Sequence, residues 1–204
     1  MKSIFKRLTS QKKLVFLIIV FLFIQAICDL SLPNYTSALI DTGIQNSGIE
    51  YAVPVKISSK AYDMISANMN ESELELWEEN YIPDGDNYIL NAKADTKALD
   101  DVFAYPIAQT VMNMRGMTTS RESLDTLGSQ IVHSTAVSFI KAEYENLGID
   151  LNSMQTNYLV RTGGKMLVMA LGMAIAAVLS SLLAAKIGAS IGRDLRGKIF
   201  EKVV

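Results

Sequence analysis

The chain has 204 residues, half of them hydrophobic and a fifth charged, with one Cys, one His and a formal net charge of −2. A mean hydropathy of +0.22 and a pI near 5.5 exclude a disordered chain, the lone Cys excludes a disulfide scaffold, and the near-neutral charge excludes a basic nucleic-acid binder. No nucleic acid is therefore expected as a partner, and the averages conceal a division into blocks that sets the organisation of the molecule.

Residues 1–13 carry Lys2, Lys6, Arg7, Lys12 and Lys13 without an acid, a charge of +5, and read as a cytoplasmic or interfacial elbow. Residues 14–40 read as a first transmembrane helix. Leu14 to Phe23 is unbroken large apolar sequence, and Asp29 is the one carboxylate between Leu14 and Ile40. About 20 apolar residues at about 1.5 Å rise each cross a hydrocarbon core. A cleaved signal peptide is the competing reading. Against it, the apolar core is not a short h-region, Ile27 precedes Cys28 where a lipoprotein site needs a small residue, and no A-x-A-like site follows.

Asp29 lies roughly 24 Å along the helix from Lys13, in the outer part of the bilayer. Pro33, four residues on, has no N–H to give to the Asp29 carbonyl, so the pair predicts a kink. Asp29 then either lines a pathway or pairs with a partner helix, or tilt brings it to the interface where a carboxylate costs little.

Residues 41–157 hold seven bases and 18 acids, a charge of −11, and predict a small, mainly helical extracytoplasmic domain. Tyr62, Ile65 and Met69 recur at helical spacing, as do Leu74, Trp77 and Tyr81. Asn70 with Glu73 has the pattern of a capping box, and Ser72 with Glu75 is a competing start. Pro83, Asp84 and Gly85 mark a turn leading toward a short strand at Tyr88 to Leu90. Leu124, Leu127, Ile131, Ile140, Tyr144 and Leu147 predict one long amphipathic helix ending near Gly148.

This segment offers little chemistry. His133 is the only histidine and Cys28 lies in a span, so no zinc-type cluster forms within the chain. His133 itself reads as an ordinary surface or half-buried residue. Glu71, Glu73, Glu75, Glu78 and Glu79 lack the alternating ligand loop of a calcium site and read as a solvated helix face. Met112, Met114 and Met117 read as core filler rather than a soft-metal patch. The sequons at Asn34 and Asn70 matter only where a cell glycosylates. No catalytic, cofactor-binding or metal-ligating residue is expected in the chain.

Residues 158–188 read as the second transmembrane helix, with no charge from Met166 to Ala185. Gly172, Ala176, Ser180, Ala184, Gly188 and Gly192 recur at every fourth position, beside a parallel row of Ala177, Ser181, Ala185 and Ala189. Small residues at that spacing let helix backbones approach closely, so this span is built to be surrounded by other helices. Residues 189–204 read as a cytoplasmic extension of the same helix. Ile187, Ile191, Leu195 and Ile199 keep an apolar stripe there, while Asp194 and Lys198 are placed to pair. No stop signal precedes Val204, and the expectation is an N-terminal piece of a longer protein. Residues 186–204 carry +3, so the positive-inside rule puts both ends in the cytoplasm and residues 41–157 outside. The fold class expected is an all-α membrane protein whose two transmembrane helices flank a mainly helical external domain, with the lipid bilayer as partner.

The order of segments resembles the N-terminal transmembrane region of bacterial ABC exporters, specifically half-transporters of the multidrug ATP-binding and permease type. The residues that carry the resemblance are the basic elbow SIFKRLTSQKK, the LP-x(6)-ID-x-GI segment at Leu32, Pro33, Ile40, Asp41, Gly43 and Ile44, and GRDLR-x-KIFEKV from Gly192 to Val203. They cover about the first 50 and last 45 residues. The resemblance implies two of the six helices of an exporter's transmembrane domain, in the cytoplasmic membrane, moving an amphiphilic drug, lipid or peptide. It implies as partners the remaining helices and nucleotide-binding domain of the same protein and a second half-transporter, a heterodimer being favoured over a homodimer. It makes Arg193, Arg196 and Phe200 coupling-region candidates, since the last segment leads toward the first coupling helix. Most such exporters have a short loop where this chain has 117 residues, resembling a subset that carries an ectodomain there.

ATP and Mg would belong to the parent's nucleotide-binding domain. No G-x(4)-GK-[ST] loop occurs here, and Gly163, Gly164 and Lys165 lie at a membrane boundary rather than between a strand and a helix. The chain itself is thus not read as an ATPase, whereas the full-length parent is expected to be an ATP-hydrolysing translocase. The rival from another class is a two-span sensor or chemoreceptor with an external ligand-binding domain, and a third is a scaffold without transport of its own. The topology fits the sensor equally well, but a dimeric receptor gives neither the LP-x(6)-ID-x-GI segment nor the small-residue spiral an obvious role. The substrate is not legible.

Overall fold

The computed structural model describes residues 12–117 and 119–203, with the side chains of residues 194, 195 and 198–203 outside that description. The chain divides into a helical pair, formed by residues up to Ser37 and from Arg161 onward, and an interposed unit, Ala38–Val160. Most of the elbow expected at residues 1–13 lies outside the described residues. Among the described residues two helices are long and apolar enough to cross a membrane. Only 6% and 11% of their apolar windows is buried within the chain, whereas a soluble core helix hides most of such a window.

Helix α1, Lys12–Ala38, contains Pro33 and runs on as a π-helical segment, Leu39–Gln45. The second long helix, numbered α7 below, covers Leu151–Val203. Each predicted span is thus part of a longer helix. Asp150 starts the second one: its Oδ1 accepts from the N–H groups of Asn152 and Ser153 at 3.0 and 3.2 Å, as an N-cap does.

The π-helical segment, LIDTGIQ, coincides with the ID-x-GI residues. Its Gly43 packs closely against the first turns of α7. A Cβ on Gly43 would stand 2.6 Å from Leu159 Cδ2, and Gln155 Nε2 donates to the Gly43 carbonyl at 2.9 Å. Just beyond, Gly48 has φ +81° and lies against the Met154 backbone.

The interposed unit continues with β1 (Lys56–Ser58), α2 (Ser59–Ser66), α3 (Glu71–Asn80), β2 (Tyr81–Asp84), β3 (Asn87–Leu90), α4 (Thr96–Met114), α5 (Arg121–Leu127) and α6 (Ser129–Asn146). The strands form a small antiparallel sheet in the order β1-β3-β2, and the unit is otherwise mainly helical, as expected. Pairing of Asp84 with Asn87 closes the β2–β3 hairpin over two residues. Gly85 takes φ +62° at the first of them, which a tight hairpin turn needs. Asn70 and Glu73, not Ser72 and Glu75, make the capping box of α3, with both reciprocal bonds present. The single long helix predicted through Leu124 and Tyr144 is two helices. Gly128 at φ +87° separates α5 from α6, and the chain bends there because Leu127 and Ile131 remain exposed while Leu124 and Val132 turn inward.

The core is aromatic. Trp77 and Phe103 are fully buried, with ring centroids 4.8 Å apart edge to face, and Tyr62 stacks on Tyr88 at 3.8 Å. Burial, then the charge of Glu78, pushes the Tyr62 hydroxyl up to about 12. The rings join α2, α3, β2, β3 and α4 into one apolar cluster, to which Leu151 and Met154 of α7 also contribute.

Candidate functional site

In the helical pair, positions stepping alternately by four and three residues are buried or half-buried throughout. On α1 they are Leu14, Ile18, Phe21, Gln25, Cys28, Leu32 and Tyr35, and on α7 they are Thr162, Met166, Met169, Met173, Ala176, Ser180, Leu183 and Ile187. A repeat averaging 3.5 residues is the seam of left-handed helix packing at shallow crossing angles. Small side chains sit in it: Cys28, Ala176 and Ser180 are buried, and a Cβ on Gly172 would stand 4.0 Å from Cys28 Sγ.

The small-residue row follows this seam only part of the way. Gly172 is half-buried and Ala176 and Ser180 are buried, whereas Ala184, Gly188 and Gly192 are exposed. The reason is angular: steps of four residues drift about 40° each around a helix with 3.6 residues per turn, while the seam alternates three and four. After Ser180 the seam passes to Leu183 and Ile187, and the row turns outward.

Asp29 and Pro33 are both exposed on α1, which continues as helix through the proline. Flanking hydroxyls bond to backbone carbonyls, Ser31 Oγ to Ile27 at 2.7 Å and Thr36 Oγ1 to Leu32 at 3.0 Å, which tends to bend a helix. On α7, Arg193 and Arg196 are exposed, and Arg193 is engaged by a neighbour. The side chains of Phe200, Asp194 and Lys198 lie outside the described residues, although the backbone there is helical to Val203. Among the described residues no group of three or more His, Cys, Asp or Glu side chains is placed to hold a metal.

In the interposed unit, the acidic face is not uniform. Glu71, Glu75, Glu78 and Glu79 are exposed as expected, but Glu73 is buried. It is held there by the capping box and by Arg121 of α5, whose guanidinium also lies 4.9 Å over the Tyr105 ring. The methionines divide as well: Met112 packs on the core, while Met114 and Met117 are exposed. Core filler is therefore the right reading of Met112 alone.

A feature absent from the sequence reading is the way the segment Ile49–Ser58 is fastened. It has little ladder of its own, yet Ala52, Val53 and Pro54 are buried, so its backbone groups need partners. Side chains supply them. Ala52 N–H donates to Asp100 Oδ1 at 2.6 Å, Val55 N–H to the Tyr144 hydroxyl at 2.7 Å, and Ser58 N–H to Glu143 Oε1 at 2.9 Å. Tyr81 donates its hydroxyl to the Pro54 carbonyl at 2.7 Å. Burial holds Tyr144 up at about 12 even though the Val55 N–H opposes the shift, and burial also raises Tyr81 well above the ordinary tyrosine value; both stay protonated.

His133 of α6 belongs to this fastening. Its Nε2 is 3.2 Å from Asp100 Oδ1, and the Glu50 backbone also favours its charged form. The hydrogen bond to Asp100 raises its pKa above the ordinary 6.5 against the opposing effect of burial. Of the two expectations, an ordinary surface or half-buried histidine, the structure has the half-buried one. No local pattern announces the contacts, because Asp100, Glu143 and Tyr144 lie 48, 85 and 89 residues from their partners.

Comparison with protein-family models, with curated proteins and with solved structures finds no match to this chain.

Proposed function

We propose that the chain is the N-terminal transmembrane region of an ATP-driven exporter of the ABC type, crossing the cytoplasmic membrane twice with residues 41–157 outside and both ends in the cytoplasm. The observation that carries the reading is the course of α7. It leaves the apolar stretch at Lys186 and continues as helix to Val203, bearing Arg193 and Arg196 beyond the length a span needs. An extended intracellular helix is what a permease uses to meet a nucleotide-binding domain. The outward half of the small-residue row, Ala184 to Gly192, supports it further, since small residues in a span earn their place by admitting neighbouring helices.

In this reading the seam of α1 and α7 is one contact of a larger helical bundle. Asp29 and Pro33 lie on the surface offered to the remaining helices or to the transport path, for an amphiphilic drug, lipid or peptide. ATP and Mg would act on a separate domain of the same protein, paired with a second half-transporter, and would bias the bundle between inward and outward states.

The test is made on the full-length gene product in nanodiscs. An ATPase stimulated by amphiphilic compounds, with a reporter at residue 100 outside and one after residue 204 inside, is the expected result. A cytoplasmic reporter at residue 100, or a downstream region encoding a linker and signalling domain in place of further spans and a phosphate-binding loop, overturns it and favours the sensor.

A further inference from the structure

We propose that His133 is a pH-sensitive clasp that fastens the strap Ile49–Ser58 to α4 and α6 when protonated and loosens it when neutral. The geometry carries this. The imidazole Nε2 lies 3.2 Å from the Asp100 carboxylate, and the Glu50 backbone also favours the charged ring. Protonation makes the Asp100 contact charge-assisted, and deprotonation leaves a neutral contact of roughly half the strength.

Asp100 couples the ring to the strap a second time, because its Oδ1 also accepts the Ala52 N–H at 2.6 Å. The groups facing His133 are of one sign. Asp100 and Asp101 come from α4 and Glu50 from the strap, while Tyr51, also of the strap, is itself held protonated by burial and by Glu50, Asp100 and Asp95. No cation among those neighbours competes for Asp100. His133 is more favourable protonated in the fastened state, so its contribution is complete below the ordinary imidazole value and is lost as pH rises through the raised value. Tyr144 and Tyr81, two of the other fasteners, do not titrate in that window, and His133→Gln separates the histidine from the carboxylate fasteners Asp100 and Glu143.

The experiment uses the whole chain in lipid nanodiscs, purified on a histidine-free tag. Amide hydrogen exchange across residues 49–58 is compared at about pH 5.5 and about pH 8, corrected for intrinsic rates, in wild type, His133→Gln and Tyr144→Phe. Wild type should be roughly three- to tenfold more protected at the acid pH, the scale of one hydrogen bond's net contribution. His133→Gln should abolish that ratio. Tyr144→Phe should lower protection at both pH values and keep the ratio. In wild type the imidazole NMR signal, unambiguous because the chain has one histidine, should titrate above 6.5. A midpoint at or below 6.5, a ratio that survives His133→Gln, or a pH effect spread equally over all of α4 and α6 overturns the clasp.

Discussion

The helical pair and the interposed unit are built inside out relative to one another. In the interposed unit the large side chains of Trp77, Tyr144 and Phe103 are buried, and charged side chains occupy the surface of α3. In the helical pair the buried positions include Cys28, Ala176 and Ser180, while Phe16, Leu30 and Val168 are 68%, 76% and 68% exposed. Water drives the first arrangement, since burial of large apolar surface is the main favourable term. Water opposes the second, whereas lipid leaves large apolar residues nothing to gain by moving inward and makes close approach of small ones the useful contact. With the two long apolar helices read as membrane spans, one chain follows two solvents, and substitutions should sort by which solvent rule they break.

Phe103→Ala tests the contrast most severely. Removing a buried ring at the centre of the aromatic cluster should cost about 3–5 kcal/mol. Trp77, the only tryptophan and fully buried, reports the loss through the midpoint of its fluorescence change in denaturant. Membrane association, measured by resistance to carbonate extraction, should be unchanged because no residue of either span is touched. Loss of both together would mean that the two regions do not obey separate rules.

What the sequence discloses divides along similar lines. The two span helices, the Asn70–Glu73 cap and the turn at Gly85 are readable because each rests on residues a few positions apart. The break at Gly128 was missed because Leu124, Leu127 and Ile131 keep helical spacing, and the signal for bending is which of them finds a buried partner. Strands β1 and β2 are three and four residues long, too short for alternation to show, and Tyr81 reads equally well as the end of the α3 pattern. The seam was legible as small residues but not as a direction, since the row at every fourth position and the 3.5-residue seam share Ala176 and Ser180 before they part. The strap was not legible at all. Its contacts are single hydrogen bonds made across 48 to 89 residues of chain, with no repeat for a pattern to register.

Gly48 sharpens the comparison at the margin of the interposed unit. Gly48→Ala adds a Cβ at φ +81°, 2.8 Å from the Met154 carbonyl oxygen, a backbone atom that cannot swing away. Gly85→Ala faces a similar backbone requirement at φ +62° with nothing within 4 Å. The second should cost about 1 kcal/mol and the first about 2–3 kcal/mol, both read as shifts in the Trp77 unfolding midpoint. Equal costs would show that the close packing of Gly48 on α7 contributes nothing beyond backbone strain.

The finest contrast lies within one helix. Ala176→Leu and Ala184→Leu make the same chemical change in the same small-residue row, and both make α7 more apolar. They differ in that Ala176 is 3% exposed on the seam while Ala184 is exposed. Overpacking at Ala176 should cost about 1–2 kcal/mol and Ala184→Leu close to nothing within this chain. The only cysteine, Cys28, is buried in the same seam, so its reaction with a maleimide requires the pair to open. In wild type and Ala184→Leu the rate should be the same, and in Ala176→Leu it should rise by roughly five- to thirtyfold, the factor that 1–2 kcal/mol of easier opening implies. On the proposed exporter reading, the ordering between the two leucines should change once further spans are present, because the outward half of the row would then meet another helix. A penalty for Ala184→Leu that appears only with the remaining spans present would show what the exposed small residues are for, and its absence would leave the row past Ser180 without a packing role.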